Sequence, residues 1–157
     1  MLTHRDLKGS DLAEICCFPQ SAEEVFYMFP AASHPLTEQQ LAEAAQKRQG
    51  STVVLRDGRI AGYANFFKCV KGEICDLGNV VVNPEFRRKG VASYLIEVMS
   101  QKAVEEFQAG RLQASCFNQN TTGLIVYHAL GFKPVRLEIR KNPGGFDVML
   151  IHLEKDL

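Results

Sequence analysis

Hydrophobic and polar positions change period several times along this chain, and each change marks an element. Residues 2–6 read as a short first strand and Asp11 to Cys16 as a short helix, whereas Phe18 to Pro35 keeps no regular period and reads as an irregular aromatic stretch. Thr37-Glu38-Gln39-Gln40 is a capping box, in which the Thr and Gln side chains satisfy each other's backbone N–H groups. The segment after it, through Leu41, Ala44 and Ala45, is predicted to run helical to Gly50.

The period then shortens to two. Ser51 to Arg56 is rich in β-branched residues, Asp57-Gly58 is a hairpin turn signal, and Arg59 to Val70 forms a second long strand. After a turn at Lys71-Gly72, Glu73 to Val82 supplies a third strand, which makes an antiparallel meander. Gly90 opens a helix whose Ala92, Leu95, Ile96, Met99, Ala103 and Phe107 share one face, and Gly110 stops it. Arg111 to Phe117 is a strand, Thr121 to Leu130 a short helix closed by Gly131, and Phe132 to Arg140 a further strand. Asn142-Pro143-Gly144-Gly145 turns the chain into the last strand, Phe146 to Leu153.

Strands followed by strand-helix-strand predict an α/β fold with a mixed, mostly antiparallel central sheet of about seven strands flanked by helices. The connection from Val82 to Arg111 is long enough for a parallel crossover. Ligands sit in the crevice that opens where neighbouring parallel strands diverge.

Composition narrows the function. A chain of 157 residues with 46% hydrophobic content fills one core, so residues 1–157 are expected to form a single domain. Eighteen basic residues balance eighteen acidic ones, which speaks against nucleic acid or an anionic membrane as partner. No apolar run reaches the roughly eighteen residues of a membrane span, and a soluble, cytoplasmic protein is expected. Cys16, Cys17, Cys69, Cys75 and Cys116 include no Cys-x-x-Cys pair, and His4, His34, His128 and His152 have no ligand spacing, so no metal is expected. Cys116 reads as a packing residue, since free cysteine is among the most buried types.

Two stretches carry chemistry. In the first, the apolar strand ending at Val82 breaks into Asn83-Pro84-Glu85-Phe86-Arg87-Arg88-Lys89-Gly90-Val91-Ala92, a basic, glycine-closed turn at a helix start. The first N–H groups of a helix lack partners and carry partial positive charge, so this turn reads either as a phosphate cradle or as a solvated basic loop. Neither Gly-x-x-x-x-Gly-Lys-[Ser/Thr] nor Gly-x-Gly-x-x-Gly occurs, which disfavours nucleotide hydrolysis and nicotinamide binding. The second stretch runs from Asn118 through Asn120, Gly123 and Tyr127 to Gly131-Phe132.

Together the two stretches resemble bacterial members of the GNAT family of N-acetyltransferases. Asn-x-x-Gly-x-x-Val-Tyr-x-x-x-Gly-Phe, residues 120–132, is similar to that family's Asn-x-x-Ala-x-x-Leu-Tyr-x-x-x-Gly-Phe signature, and Arg87-x-x-Gly90-x-Ala92 to its pyrophosphate turn. The resemblance implies the acyl-CoA N-acyltransferase fold and acetyl coenzyme A as co-substrate. Its pyrophosphate would rest on Arg87, Arg88, Lys89, Gly90, Val91 and Ala92, its pantetheine arm on the backbone of Val80, Val81 and Val82, and its amide groups on Asn118 and Asn120.

The same resemblance gives Tyr127 the role of proton donor to the departing thiolate. An unperturbed tyrosine, with a pKa of about 10, is protonated at neutral pH and suits that role; the bland alternative is a core tyrosine whose hydroxyl reaches solvent. For the general base, Glu73 and Asp76 lie near the site but differ by an odd number of residues, so only one faces it. Asp76 is the choice, with a water chain as the alternative. Phe26, Tyr27 and Phe29 with Asn65 are expected to wall the acceptor pocket, alongside Phe67, His34, Arg136 and Arg140; the alternative for the aromatic stretch is that it merely caps the sheet. The implied activity is acetyl transfer to a primary amine of a small molecule, amino-acid derivative or peptide by direct attack, in a monomer or homodimer; the rival is a non-catalytic acetyl-CoA-binding sensor.

Overall fold

The computed structural model describes every residue from Met1 to Leu157. Seven strands, β1 (Leu2–Asp6), β2 (Gln49–Arg56), β3 (Arg59–Val70), β4 (Ile74–Val82), β5 (Arg111–Phe117), β6 (Lys133–Lys141) and β7 (Asp147–Asp156), form one sheet in the order β1-β2-β3-β4-β5-β7-β6. Five helices accompany it: α1 (Leu12–Ile15), α2 (Ala22–Met28), α3 (Glu38–Lys47), α4 (Val91–Phe107) and α5 (Thr121–Ala129). Only β4 and β5 run parallel, joined by the α4 crossover. No helix is long and apolar enough to cross a membrane.

Two cores sandwich the sheet. On one face, Val91, Leu95, Ile96, Met99 and Ala103 of α4 pack with Tyr127 of α5 on Phe66, Leu77, Leu112 and Ala114. On the other, Leu12, Ile15, Val25, Met28, Leu41 and Ala44 bring α1, α2 and α3 against Val53, Tyr63 and Val81. Full burial of each large apolar side chain stabilises the fold by roughly 1.5–3 kcal/mol relative to exposure. Near the edge of the second layer, Arg5 donates twice to Asp11 at 2.7 and 2.9 Å, while the Lys8 amide donates to the same carboxylate at 2.8 Å.

The structure corrects the irregular reading of residues 18–35, because α2 lies within that stretch. Ser21 caps it, its hydroxyl accepting from the Glu24 amide at 3.1 Å, and Phe26 stacks on Phe117 with ring centroids 4.3 Å apart. Short helices show little periodicity, since two turns hold too few apolar positions to repeat. The available signal was the Ser-x-x-Glu spacing at residues 21–24. Glu73 falls in the turn before β4 rather than in the strand, and its carbonyl accepts from the Gly110 and Arg111 amides.

Two irregularities in β4 set the geometry at the centre of the sheet. Between Tyr63↔Val81 and Asn65↔Gly78, one residue of β3 opposes two of β4, with Asn79 held at a φ of 51°. This bulge reverses the strand's parity: Leu77 and Val81 would share a face in a regular strand, yet Leu77 packs in the α4 core and Val81 in the core of α1, α2 and α3. The second irregularity is a split. β4 pairs with β5 only from Ile74 to Asp76, against Arg111 to Gln113, and beyond Asp76 the two strands separate.

Candidate functional site

A cleft of about 1280 Å³ occupies the split between β4 and β5 and opens toward both faces of the sheet. On the α4 side it is bordered by the turn after β4. There Pro84–Phe86 forms a short 3-10 turn, capped by the Asn83 side chain accepting from the Glu85 amide at 3.0 Å, and the chain enters α4 through Gly90. Arg88 and Gly90 both adopt positive φ, 61° and 78°. Residues 88–93 consequently present their backbone N–H groups without any backbone acceptor, the first bond of the helix running from the Tyr94 amide to the Gly90 carbonyl. Space around Gly90 is open, with no atom within 4 Å of where a Cβ would stand.

Such a run of N–H groups at the head of a 17-residue helix is suited to an anion, for which hydrogen bonds and the helix dipole act together. The Arg87 guanidinium is not free to assist, because it pairs with Glu24 of α2. Lys89 lies over the Phe86 ring and donates to the Glu85 carbonyl, outside the cleft lining, so its ammonium is turned away from the cleft.

Across the split from this turn, α5 carries Tyr127. Its side chain is buried against Phe132, ring centroids 5.3 Å apart, and its hydroxyl makes no hydrogen bond to protein. Yet no fully buried side-chain oxygen or nitrogen in the molecule lacks a partner, so this hydroxyl meets the cleft that Tyr127 lines. Burial, and then the neighbouring Cys116, push the Tyr127 phenol above its ordinary range, which keeps it protonated and able to donate. Cys116 is inert by the same logic: burial pushes its thiol up to about 12.

Asn120 lines the cleft as the cap of α5, its Oδ1 accepting from the Gly123 amide at 3.1 Å. Gly123 stands where the signature has alanine. A Cβ there would lie 2.8 Å from the Asn120 amide nitrogen and 3.0 Å from the Cys116 sulfur. Asn118 does not reach the cleft; its Oδ1 accepts from the Met149 amide and ties β5 to β7.

The other half of the cleft lies on the α2 side. Val80, Val81 and Val82 border the split, and Asp76 lies at the last paired position of the parallel strands. Burial raises the Asp76 carboxyl above its ordinary range, opposed by Lys68 and His152 and aided by Glu154. Tyr27 and Phe29 line this half, Tyr27 donating to Glu23 at 2.6 Å. Phe26 and Asn65, expected in the same wall, do not line it. Phe26 packs behind it on Phe117, and Asn65 is fully buried, donating to the Tyr63 hydroxyl at 3.0 Å and to Asn79 at 2.9 Å.

Several cleft residues escaped the sequence reading. Ser115 and His152 are cross-strand partners on β5 and β7, 2.9 Å apart, and the other ring nitrogen of His152 lies 3.2 Å from Glu138 on β6. Only strand register brings these three together, so no spacing along the chain announces them. Arg48, between α3 and β2, also lines the cleft, its guanidinium near the Phe29 and Phe67 rings.

The split sheet, the bulged strand beside it and the anion cradle at the next helix coincide with a family match. The sequence model of the acetyltransferase (GNAT) family matches residues 15–132, well over half the chain. The chain belongs to that family. No curated protein matches it by sequence. Among solved structures, ribosomal-protein-alanine N-acetyltransferase from Brucella melitensis superposes with a TM-score of 0.77 at 19% identity, covering 99% of each chain. The yncA protein of Salmonella typhimurium, solved with its cofactor acetyl-CoA, also gives 0.77 at 19% identity over 99% of this chain and 94% of that one. A GNAT acetyltransferase from Streptococcus pneumoniae gives 0.74 at 20% identity over the full length of both. At these identities the likeness is one of fold, and the mostly antiparallel seven-stranded sheet is the acyl-CoA N-acyltransferase architecture.

Proposed function

We propose that this GNAT protein transfers the acetyl group of acetyl coenzyme A to a primary amine by direct attack within a ternary complex. The observation that carries the reading is the pairing of unpartnered N–H groups at residues 88–93 with the Tyr127 hydroxyl on opposite sides of one split. A coenzyme A pyrophosphate fits the first, with the Arg88 side chain at hand. The β4 backbone beyond Asp76, which has no β5 partner, suits the amide-bearing pantetheine arm that ends near Tyr127.

In the reaction the amine lone pair attacks the thioester carbon, and the carbonyl oxygen gains negative charge that a backbone N–H near Val80 or Val81 stabilises. Collapse breaks the carbon–sulfur bond. The thiolate takes the Tyr127 hydroxyl proton, and the proton lost by the amine passes to Asp76 or to a water chain from it; solvent then restores both side chains. Asp76, nearest the paired end of the split, supports the base assignment because burial raises its basicity as a carboxylate. Asn120 serves mainly to cap α5 and so to hold Tyr127 in place.

A panel of primary amines incubated with acetyl coenzyme A, read by thiol release, tests the reading. Amine-dependent release is expected. Tight acetyl coenzyme A binding without turnover on any amine would instead favour a non-catalytic sensor.

A further inference from the structure

Arg48 carries a charge that no residue of the protein neutralises. Its guanidinium is half-buried, 4.9 Å from the centre of the Phe67 ring and 5.3 Å from that of Phe29, and makes no ion pair. The one hydrogen bond it makes is from Nη1 to Asn65 at 3.3 Å. Nε and Nη2 make no hydrogen bond to protein, and no fully buried side-chain nitrogen lacks a partner, so these two atoms keep solvent contact at the cleft that Arg48 lines. Taking a cation partly out of water without a carboxylate is unfavourable in the free protein, and burial accordingly lowers its pKa.

Gly78 makes room for it. A Cβ at Gly78 would stand 2.7 Å from Arg48 Nη1 and 2.9 Å from Asn65 Oδ1, so the guanidinium lies directly against the β4 backbone. Asp76 is two residues earlier on that strand, about 7 Å away along the chain and on the same side. One wall of the cleft therefore offers a cation two strand positions from the group assigned to receive the amine proton. Arg140, by contrast, is already engaged by Glu138, and Arg136 is exposed on the edge strand.

We infer that the acceptor is a small amino acid, whose carboxylate is held by Arg48 while its amine lies between Asp76 and the β4–β5 split. The inference rests on the acetyltransferase reading and narrows it, since next to its α-amine a peptide carries an amide in place of the α-carboxylate. Cation–π contact with the Phe29 and Phe67 rings helps to position the guanidinium, whose planar fork matches a bidentate carboxylate.

Matched acceptors decide it: amino acids with amine and carboxylate one to three carbons apart, each compared with its carboxamide. In the wild type kcat/KM is expected to favour the acid on the order of 10- to 100-fold, the effect of a charged hydrogen bond. In Arg48→Gln the acid loses more kcat/KM than the amide, through KM, until the preference disappears, and Arg48→Lys retains part of it. Gly78→Ala, which crowds the guanidinium, shifts the preference the same way. An equal loss for acid and amide in Arg48→Gln, or a wild type that favours amides or peptide amines, overturns the inference. Binding of N-acetyl amino acids in the presence of coenzyme A is titrated alongside. If no amine is acetylated, the enzymatic reading fails, and the anion site still stands or falls on whether Arg48→Gln weakens that binding.

Discussion

The Asn79 side-chain amide donates to the Met28 carbonyl at 3.0 Å, tying the bulge of β4 to the end of α2. The same residue accepts from Asn65 and holds a positive φ, so the bulge is built around it. Asn79→Ala removes the side-chain donor to the buried Met28 carbonyl and one of the two acceptors of the Asn65 amide, and it retains the unfavourable φ. It is expected to cost about 2–4 kcal/mol in chemical denaturation and to lower turnover, because Val80 and Val81 then lose their placement. A variant with wild-type stability would show that the bulge is held by other contacts.

The turn into α4 predicts the donor affinity. At Gly90, with a φ of 78°, any side chain is strained although space is open, so Gly90→Val is expected to distort the run of N–H groups at residues 88–93. Titration with acetyl coenzyme A should show binding weakened by about tenfold or more, while the free protein stays folded with its stability lowered by about 1–2 kcal/mol. Unchanged affinity would rule the cradle out as the pyrophosphate site.

Asp76 links activity and stability with opposite signs. Burial raises its carboxyl pKa in the folded protein, so the folded state holds its proton more tightly than the unfolded one. The charged form therefore costs stability once the pH exceeds the raised value, and the cost disappears below the ordinary range of about 3.9. Asp76→Asn is expected to be as stable as the wild type or more so at neutral pH, while kcat falls by about 10²-fold or more if the carboxylate receives the amine proton. A kcat within about twofold of wild type would transfer that role to a water chain or to His152.

Asp11 behaves the other way. Hydrogen bonding to Arg5, against the opposing effect of burial, holds its carboxyl below the ordinary range. Its contribution is thus full above about pH 4 and fades as the pH falls through the depressed value. Asp11→Ala should destabilise the protein by about 2–3 kcal/mol at neutral pH. That difference should shrink in melts below about pH 3, and a pH-independent difference would count against the ion pair.

How much of this was legible in the chain depends on how local each signal is. The seven strands and α4 follow from periodicity and from Gly90 and Gly110, and Tyr127 and the turn at residues 87–92 follow from spacing within one helix or one loop. α2 was lost because seven residues carry too little repeat, although Ser21 and Glu24 marked its start. Phe26 and Asn65 were assigned to the pocket because residue type alone does not say which side of a layer a side chain takes. Phe26 turned inward onto Phe117, and Asn65 was drawn into the Asn79 network. Ser115, Glu138 and His152 meet through strand register, and Arg48 reaches the same cleft lining across Gly78, which are properties of pairing and packing rather than of any one segment.

The most direct test of the central claim is steady-state acetyl transfer by Tyr127→Phe, measured together with its affinity for acetyl coenzyme A. The substitution removes one hydroxyl that bonds to no protein group and keeps the ring packed on Phe132. Proton donation by Tyr127 predicts kcat reduced by about 10²-fold or more with cofactor affinity within about threefold of wild type. An unchanged kcat would contradict it.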